Sequence, residues 1–289
     1  MLFLQLLLNG LQIGAIYALT AAGFALIFGA TKIFHVAHGT AFTIAGYVFL
    51  FAWRAGWPGW AGAAAAVLAA MAFGVAMERY VYRPIQRHEG SFFTVFVAAF
   101  GVGIVVQNVI GMIAGRGFAT VDTPLSFSAE ILPDVFVAPM LWIALATAAV
   151  LFVALTLFLT RHPAGVGLRA LAQNPDLIRT YGLSSNGLSV LAFAIGSALA
   201  APAAIITVMT TGLNEAIGHQ IMLISIAATI VGGIGSLRGA ALAGMMLGIA
   251  ESIALQVVDT QWAEAVSFFV LFAFIIFRPS GIFGVVQTR

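Results

Sequence analysis

The feature that most constrains this chain is a succession of nine apolar runs, at about 5–30, 36–53, 59–78, 91–115, 136–160, 187–211, 217–234, 239–258 and 262–277. Charge, Gly or Pro bounds each of them. A hydrocarbon core about 30 Å thick is crossed by roughly 20 apolar residues in a helix. Backbone polar groups find no water partner there, so runs of this kind must be helical. The alternating ten-residue segments of a membrane β-barrel are absent. Only 8% of the residues are charged and mean hydropathy is +1.08. A soluble domain carries about 25% charged residues to solvate its surface. The expected fold is therefore an all-α integral membrane protein, a polytopic helical bundle of eight or nine spans forming a single transmembrane domain over 1–289. The second and seventh runs are short and rich in polar residues or Gly, which predicts broken or re-entrant helices there. The opening MLFLQLLLNG has no positive region and no small-residue cleavage site, so it reads as the start of a retained span.

Orientation follows from the bias of Lys and Arg toward cytoplasmic loops. With the N-terminus outside, ten basic residues fall inside: Lys32, Arg79, Arg83, Arg87, Arg161, Arg169, Arg179, Arg238, Arg278 and Arg289. Two, Arg54 and Arg116, fall outside. The acids Asp122, Glu130, Asp134, Glu215, Asp259 and Glu264 lie outside. That sorting predicts an N-out, C-in topology. Net charge is +2 with pI 9.3, but the basic residues are scattered rather than clustered, which argues against nucleic acid. The chain has no cysteine, which excludes disulfides and thiol chemistry.

Small residues recur every fourth position at Gly10, Gly14, Ala18 and Ala22, at Gly62, Ala66, Ala70 and Gly74, and at Ala240, Gly244, Gly248 and Ser252. Each stripe lets helix backbones approach closely. Together they predict a compact bundle.

Two sets of residues depart from what a bare bundle needs. The first is the long inside loop 161–187, RHPAGVGLRALAQNPDLIRTYGLSSNG. Asn174 is placed to cap a helix, Pro175 suits its first position, Asp176 favours its positive end, and Gly182 is placed to end it. Leu177, Ile178 and Tyr181 then share one face, with Arg169 and Arg179 nearby. Such a helix either docks a cytoplasmic partner or lies on lipid headgroups. The second set is polar and intramembrane. Gln12 lies about 10 Å below the outer surface, while Gln107 and Asn108 stand roughly 24 Å, and Glu251 about 20 Å, above the inner one. Such groups either bond between helices or line a watery path. His38 is counted with this pathway set. His35 and His38 are spaced for one helix face, yet no third ligand and no HExxH accompany them, so they read as structural, interfacial histidines and no metal is expected. No GxxxxGK loop occurs, so this chain holds no P-loop nucleotide site. No catalytic residue and no cofactor are expected.

Three segments carry a family resemblance. The stretch GLQIGAIYALTAAGFALIFGATKIFHVAHG (10–39) looks like the opening signature of LivH-type permeases of branched-chain amino acid ABC importers. Ala37, His38 and Gly39 match its Asn-Phe-Ala-His-Gly ending, while Phe34, His35 and Val36 depart from it. RALAQNPDLIRTYGL (169–183) is similar to the family's coupling segment, which sits against the ATPase, and IVGGIGSLRGAALAGMMLGIAES (230–252) to its late Gly-rich signature. The resemblance implies a permease subunit in the bacterial inner membrane. Its partners would be a second permease, two cytoplasmic ATPases that hydrolyse the ATP, and a periplasmic substrate-binding protein that docks on outside loops, chiefly 116–135. Relatives of this type carry urea, short amides or aromatic acids besides Leu, Ile and Val, so the solute stays open. The alternatives are a secondary transporter or channel working without ATP, and an intramembrane enzyme using His35, His38 and Glu251.

Overall fold

A computed structural model describes residues 1–88, 90–180 and 182–284, with the side chains of Leu177 and Arg179 outside that description. All nine apolar runs are helical. In chain order the elements are α1 (Leu2–Thr31), α2 (His38–Arg54), α3 (Gly59–Ala76), α4 (Arg83–Arg87) and α5 (Phe92–Ala114). They continue with the strands β1 (Ala129–Leu132) and β2 (Val135–Val137), then α6 (Pro139–Arg161), α7 (Pro163–Gln173), α8 (Pro175–Thr180), α9 (Ser185–Thr210), α10 (Ile217–Gly232), α11 (Leu237–Ala254) and α12 (Ala263–Phe277). Seven of these helical segments are long and apolar enough to cross a membrane. The protein is a multi-pass, all-α membrane bundle.

The three small-residue stripes do the packing. Those of α1 and α11 face each other: a Cβ at Gly10 would lie 2.8 Å from the Ile249 Cα, and one at Gly248 only 2.3 Å from the Gly14 nitrogen. Neither helix could approach the other this closely with larger residues at these positions. On α3 the buried residues are Gly62, Ala66, Ala70 and Gly74, the predicted stripe. Gly62 meets Phe49 on α2, and Gly74 meets Phe193 and Ser197 on α9. Helix α1 is the axis of the bundle, 83% buried over its most apolar stretch, whereas α12 is 11% buried. The exposed apolar faces of α3, α5, α6 and α12 suit hydrocarbon, which solvates them as well as a protein core would.

Three features were not legible in the hydropathy pattern. Helix α3 does not stop near residue 78; it runs on through π-helical Met77–Tyr82 into α4. The Arg83 guanidinium fastens this turn, reaching both carboxylate oxygens of buried Glu78 at 2.8 and 2.9 Å and the Asn186 carbonyl at 3.2 Å. The segment between α5 and α6 holds a small antiparallel hairpin, β1–β2, tied to α1 because the Gln5 amide bonds both the N–H and the carbonyl of Phe136. The residues after α12 fold back on the end of α10, where Ile282 and Phe283 donate to the carbonyls of Val231 and Gly232.

The depth at which α2 and α10 begin matters most for function. The connection 32–37 does not stay at the end of α1 but runs back along it, so that His38 Nε2 sits 3.1 Å from the Thr20 carbonyl. Thr20 is eleven residues before the last residue of α1, about 16 Å along the helix axis. Helix α2 therefore starts inside the bundle, and α10 starts beside it: a Cβ at Gly39 would lie 1.8 Å from the Gly218 carbonyl oxygen. With 17 and 16 residues, both are short, as the brevity of the second and seventh runs predicted, and neither is broken.

Candidate functional site

Where α2 and α10 begin, their first N–H groups have no intrahelical partner and their dipoles present partial positive charge. Helix α5 passes in front of this meeting point on a narrow buried stripe of Val95, Ala99, Gly103 and Gly111. The three helices enclose a cleft whose polar lining is Thr40 and Thr43 from α2, Gln107 from α5, Glu215 from the connection 211–216, and His219 from α10. Val36, Phe100, Val106 and Ile110 line it with apolar surface. Glycine makes room: a Cβ at Gly103 would stand 3.2 Å from the Thr40 hydroxyl, and one at Gly111 3.6 Å from the Glu215 Cγ. The free space is about 10 Å³, the order of one water, so the cleft is narrow. Chemically it offers helix N-terminal N–H groups and hydroxyls to an anionic group, a carboxylate to a cationic one, and a partly apolar wall to a side chain.

The structure does not gather the predicted pathway residues into one cluster. Gln107 lines the cleft. Asn108 points the other way, exposed, with its amide on the Ile104 carbonyl at 2.8 Å and its oxygen 3.4 Å from Arg116. Gln12 lines a separate hollow of about 200 Å³ beside Gln5, Asn9 and Phe136. Glu251 is buried between α1, α11 and α12, where its Oε2 accepts from the Tyr17 hydroxyl at 3.1 Å and the Ser267 hydroxyl at 3.3 Å. Nearby, Gln220 on α10 donates to Glu264 on α12. This network bonds helices to one another, the interhelical alternative weighed for such groups.

The histidines require a correction. They are not interfacial; both are fully buried within the bundle. His35 Nδ1 lies 2.6 Å from the Tyr82 hydroxyl, its ring packs edge-on against Phe193, and His38 faces α1 rather than the cleft. The reason is the inward return of residues 32–37, which no local pattern signals. Among the described residues, no group of three or more potential ligands could hold a metal.

In the inside loop, the capping geometry is as predicted. Asn174 Oδ1 accepts from the Asp176 N–H at 3.0 Å, Pro175 opens α8, and Gly182 adopts φ +75°. An additional helix, α7, precedes it, capped by His162, whose Nδ1 accepts from Ala164 at 3.2 Å. Arg169, Asn174, Pro175 and Gly182 are exposed. Ile178 is not: only 3% exposed, it packs inside this chain and is unavailable to a partner. Tyr181 and the Leu177 side chain lie outside the described residues. A hollow of about 280 Å³ separates Gln173 and Pro175 from Lys32, Glu78 and Asn186.

Sequence reasoning missed Thr40, Thr43, Glu215 and His219. Glu215 was assigned to an outside loop; it precedes α10 while His219 lies in its first turn, and only the place where α10 begins brings both to the cleft.

A polar cleft at the meeting of two helix N-termini, inside a bundle with apolar outer faces, is an arrangement that membrane transporters use. Residues 6–275 match the family described as branched-chain amino acid transport system/permease component, and the chain belongs to that family. It is similar to the high-affinity branched-chain amino acid transport system permease protein BraD of Pseudomonas aeruginosa, 32% identical over 98% of this chain and 96% of that protein. It is similar also to LivH of Escherichia coli K12, at 30% identity and the same coverage of both chains. A probable LivH of Methanocaldococcus jannaschii is 25% identical over 70% of this chain and 68% of its own. Among solved structures, PsaBC from Streptococcus pneumoniae in complex with Fab matches with TM-score 0.55 and 10% identity, over 97% of this chain and 94% of that one, which shows a shared fold alone.

Proposed function

We propose that this chain is the membrane-spanning subunit of an ATP-driven importer, moving branched-chain amino acids or chemically related small solutes across the bacterial inner membrane, with the α2–α5–α10 cleft as its contact point for the solute. The observation that carries the reading is the meeting of two helix N-termini beside a polar cleft inside a lipid-facing bundle. In transporters, helices that begin within the bundle direct their N-terminal dipoles at an anionic substrate group.

The energy source is read from what the chain lacks and what it displays. It carries no GxxxxGK sequence, so nucleotide hydrolysis belongs to partner subunits. The α7–α8 segment supplies the exposed, capped feature on the side rich in Lys and Arg, with Arg169, Asn174, Pro175 and Gly182 on its surface. The hollow behind it leaves room for the segment to shift when an ATPase pushes. A second permease completes the pathway. An external binding protein delivers the solute to the loops 116–135, where Phe118 and Phe127 stand exposed.

The test is purification of the chain from its native membranes, an ATPase assay on the eluate, and leucine uptake into vesicles. Co-purifying ATPase activity and uptake that requires ATP are expected. Uptake that proceeds without ATP and follows an ion gradient would overturn the reading in favour of a secondary transporter.

A further inference from the structure

We propose that Glu215 is the specificity-determining residue of the cleft: its carboxylate receives the ammonium group of the solute and so restricts transport to amine-bearing, zwitterionic compounds. This rests on the reading of the α2–α5–α10 cleft as the transport site.

Three observations converge on it. Glu215 lies just before the start of α10, at the end of the cleft nearest Gly111. Its Oε2 is buried and has no hydrogen-bond partner. No Lys or Arg forms an ion pair with it among the described residues: the ion pair found there joins Arg83 to Glu78, and the neighbouring Arg116 reaches toward Asn108 instead. A polar oxygen withdrawn from water without a partner is costly, even on a residue that is half-buried as a whole. The Arg116 side chain lies beside the same spot, its Cγ 3.6 Å and its Nε 3.8 Å from where a Gly111 Cβ would stand, yet it forms no ion pair with Glu215. A solute ammonium would supply the missing charge and donor together.

The consequence for selectivity follows from charge. A neutral urea or amide can donate an N–H to Glu215 but leaves its charge without a counter-charge. A carboxylic acid without an amine adds a repulsive like charge. Only an α-amino acid places an ammonium on Glu215 while its carboxylate faces the hydroxyls and helix N-termini deeper in the cleft, with Gln107 between. Discrimination of this kind combines an attractive element with a repulsive one.

The experiment uses the complete importer with its partner subunits and loaded binding protein, reconstituted in vesicles. Glu215→Gln keeps shape and removes charge; Glu215→Asp keeps charge and shortens the arm. Assembly of each variant is checked by co-purification of the partner subunits. A hydrogen bond to a charged group has a strength that converts to about a tenfold or greater loss of leucine uptake in Glu215→Gln. Glu215→Asp is expected to recover most of that loss, which a merely structural role would not produce. The proposal is overturned if Glu215→Gln transports like the wild type, or if Glu215→Asp is as defective as Glu215→Gln. Failure of the underlying reading looks different, because Thr40→Val and Gln107→Leu, which line the same cleft, would then leave uptake unchanged as well.

Discussion

Replacing Gly39 by Ala tests the idea that α2 and α10 are held together at their first turns by the absence of side chains. The added Cβ would lie 1.8 Å from the Gly218 carbonyl oxygen, 2.7 Å from its carbonyl carbon and 2.9 Å from the Met222 Cβ. Non-bonded heavy atoms settle at about 3.5 Å, so the helices must part by roughly 1.5 Å. Overpacking of one carbon costs typically about 1–3 kcal/mol. The top of that range applies here, because the closest obstructing atoms are backbone and cannot rotate away. Gly101→Ala on α5 is the matched control: nothing lies within 4 Å of its Cβ, and relief of the glycine penalty in a helix gains up to about 1 kcal/mol. The two substitutions, chemically identical, are thus expected to differ in sign. The assay is thermal unfolding of the detergent-solubilised protein, followed by loss of the monodisperse peak. If Gly39→Ala melts at or above the temperature of Gly101→Ala, the close approach of α2 and α10 is wrong, and the cleft built on it goes too.

Arg83→Met should destabilise by about 3–5 kcal/mol, because it strands the Glu78 carboxylate, 3% exposed, without its cation. Adding Glu78→Gln should recover a large part of that loss in the same melting assay, and an unchanged single variant would refute the pairing. Tyr17→Phe removes one of two hydroxyls donating to Glu251 and should cost about 1–3 kcal/mol. A melting temperature equal to wild type would show that the network does not hold α1 to α11.

What the sequence by itself determined was whatever depends on near neighbours along a helix. The nine apolar runs, the four-residue spacing of Gly10, Gly14, Ala18 and Ala22, and the Asn174–Pro175 cap are local, and the structure keeps each as helix, stripe or cap, although the helix of the third run extends past residue 78 into α4. The reciprocal seating of the α1 stripe on the α11 stripe follows from both being smooth. Tertiary structure alone decided the depths and the facings. Residues 32–37 turn inward because His38 finds the Thr20 carbonyl and Gly39 finds Gly218, contacts between distant parts of the chain that no period encodes. That turn buried two histidines expected at the interface and set α2 beside α10. It also made a cleft from Thr40, Gln107, Glu215 and His219, which lie on separate segments. Ile178 shows the same limit on a smaller scale. Periodicity placed it on an apolar face, but only the packing of α8 against α7 and α9 settled that its own side chain is buried within this chain. A hydrophobic pattern says that a residue leaves water; which surface receives it is chosen by the close approach of glycines and by the few polar groups that must find partners out of water's reach.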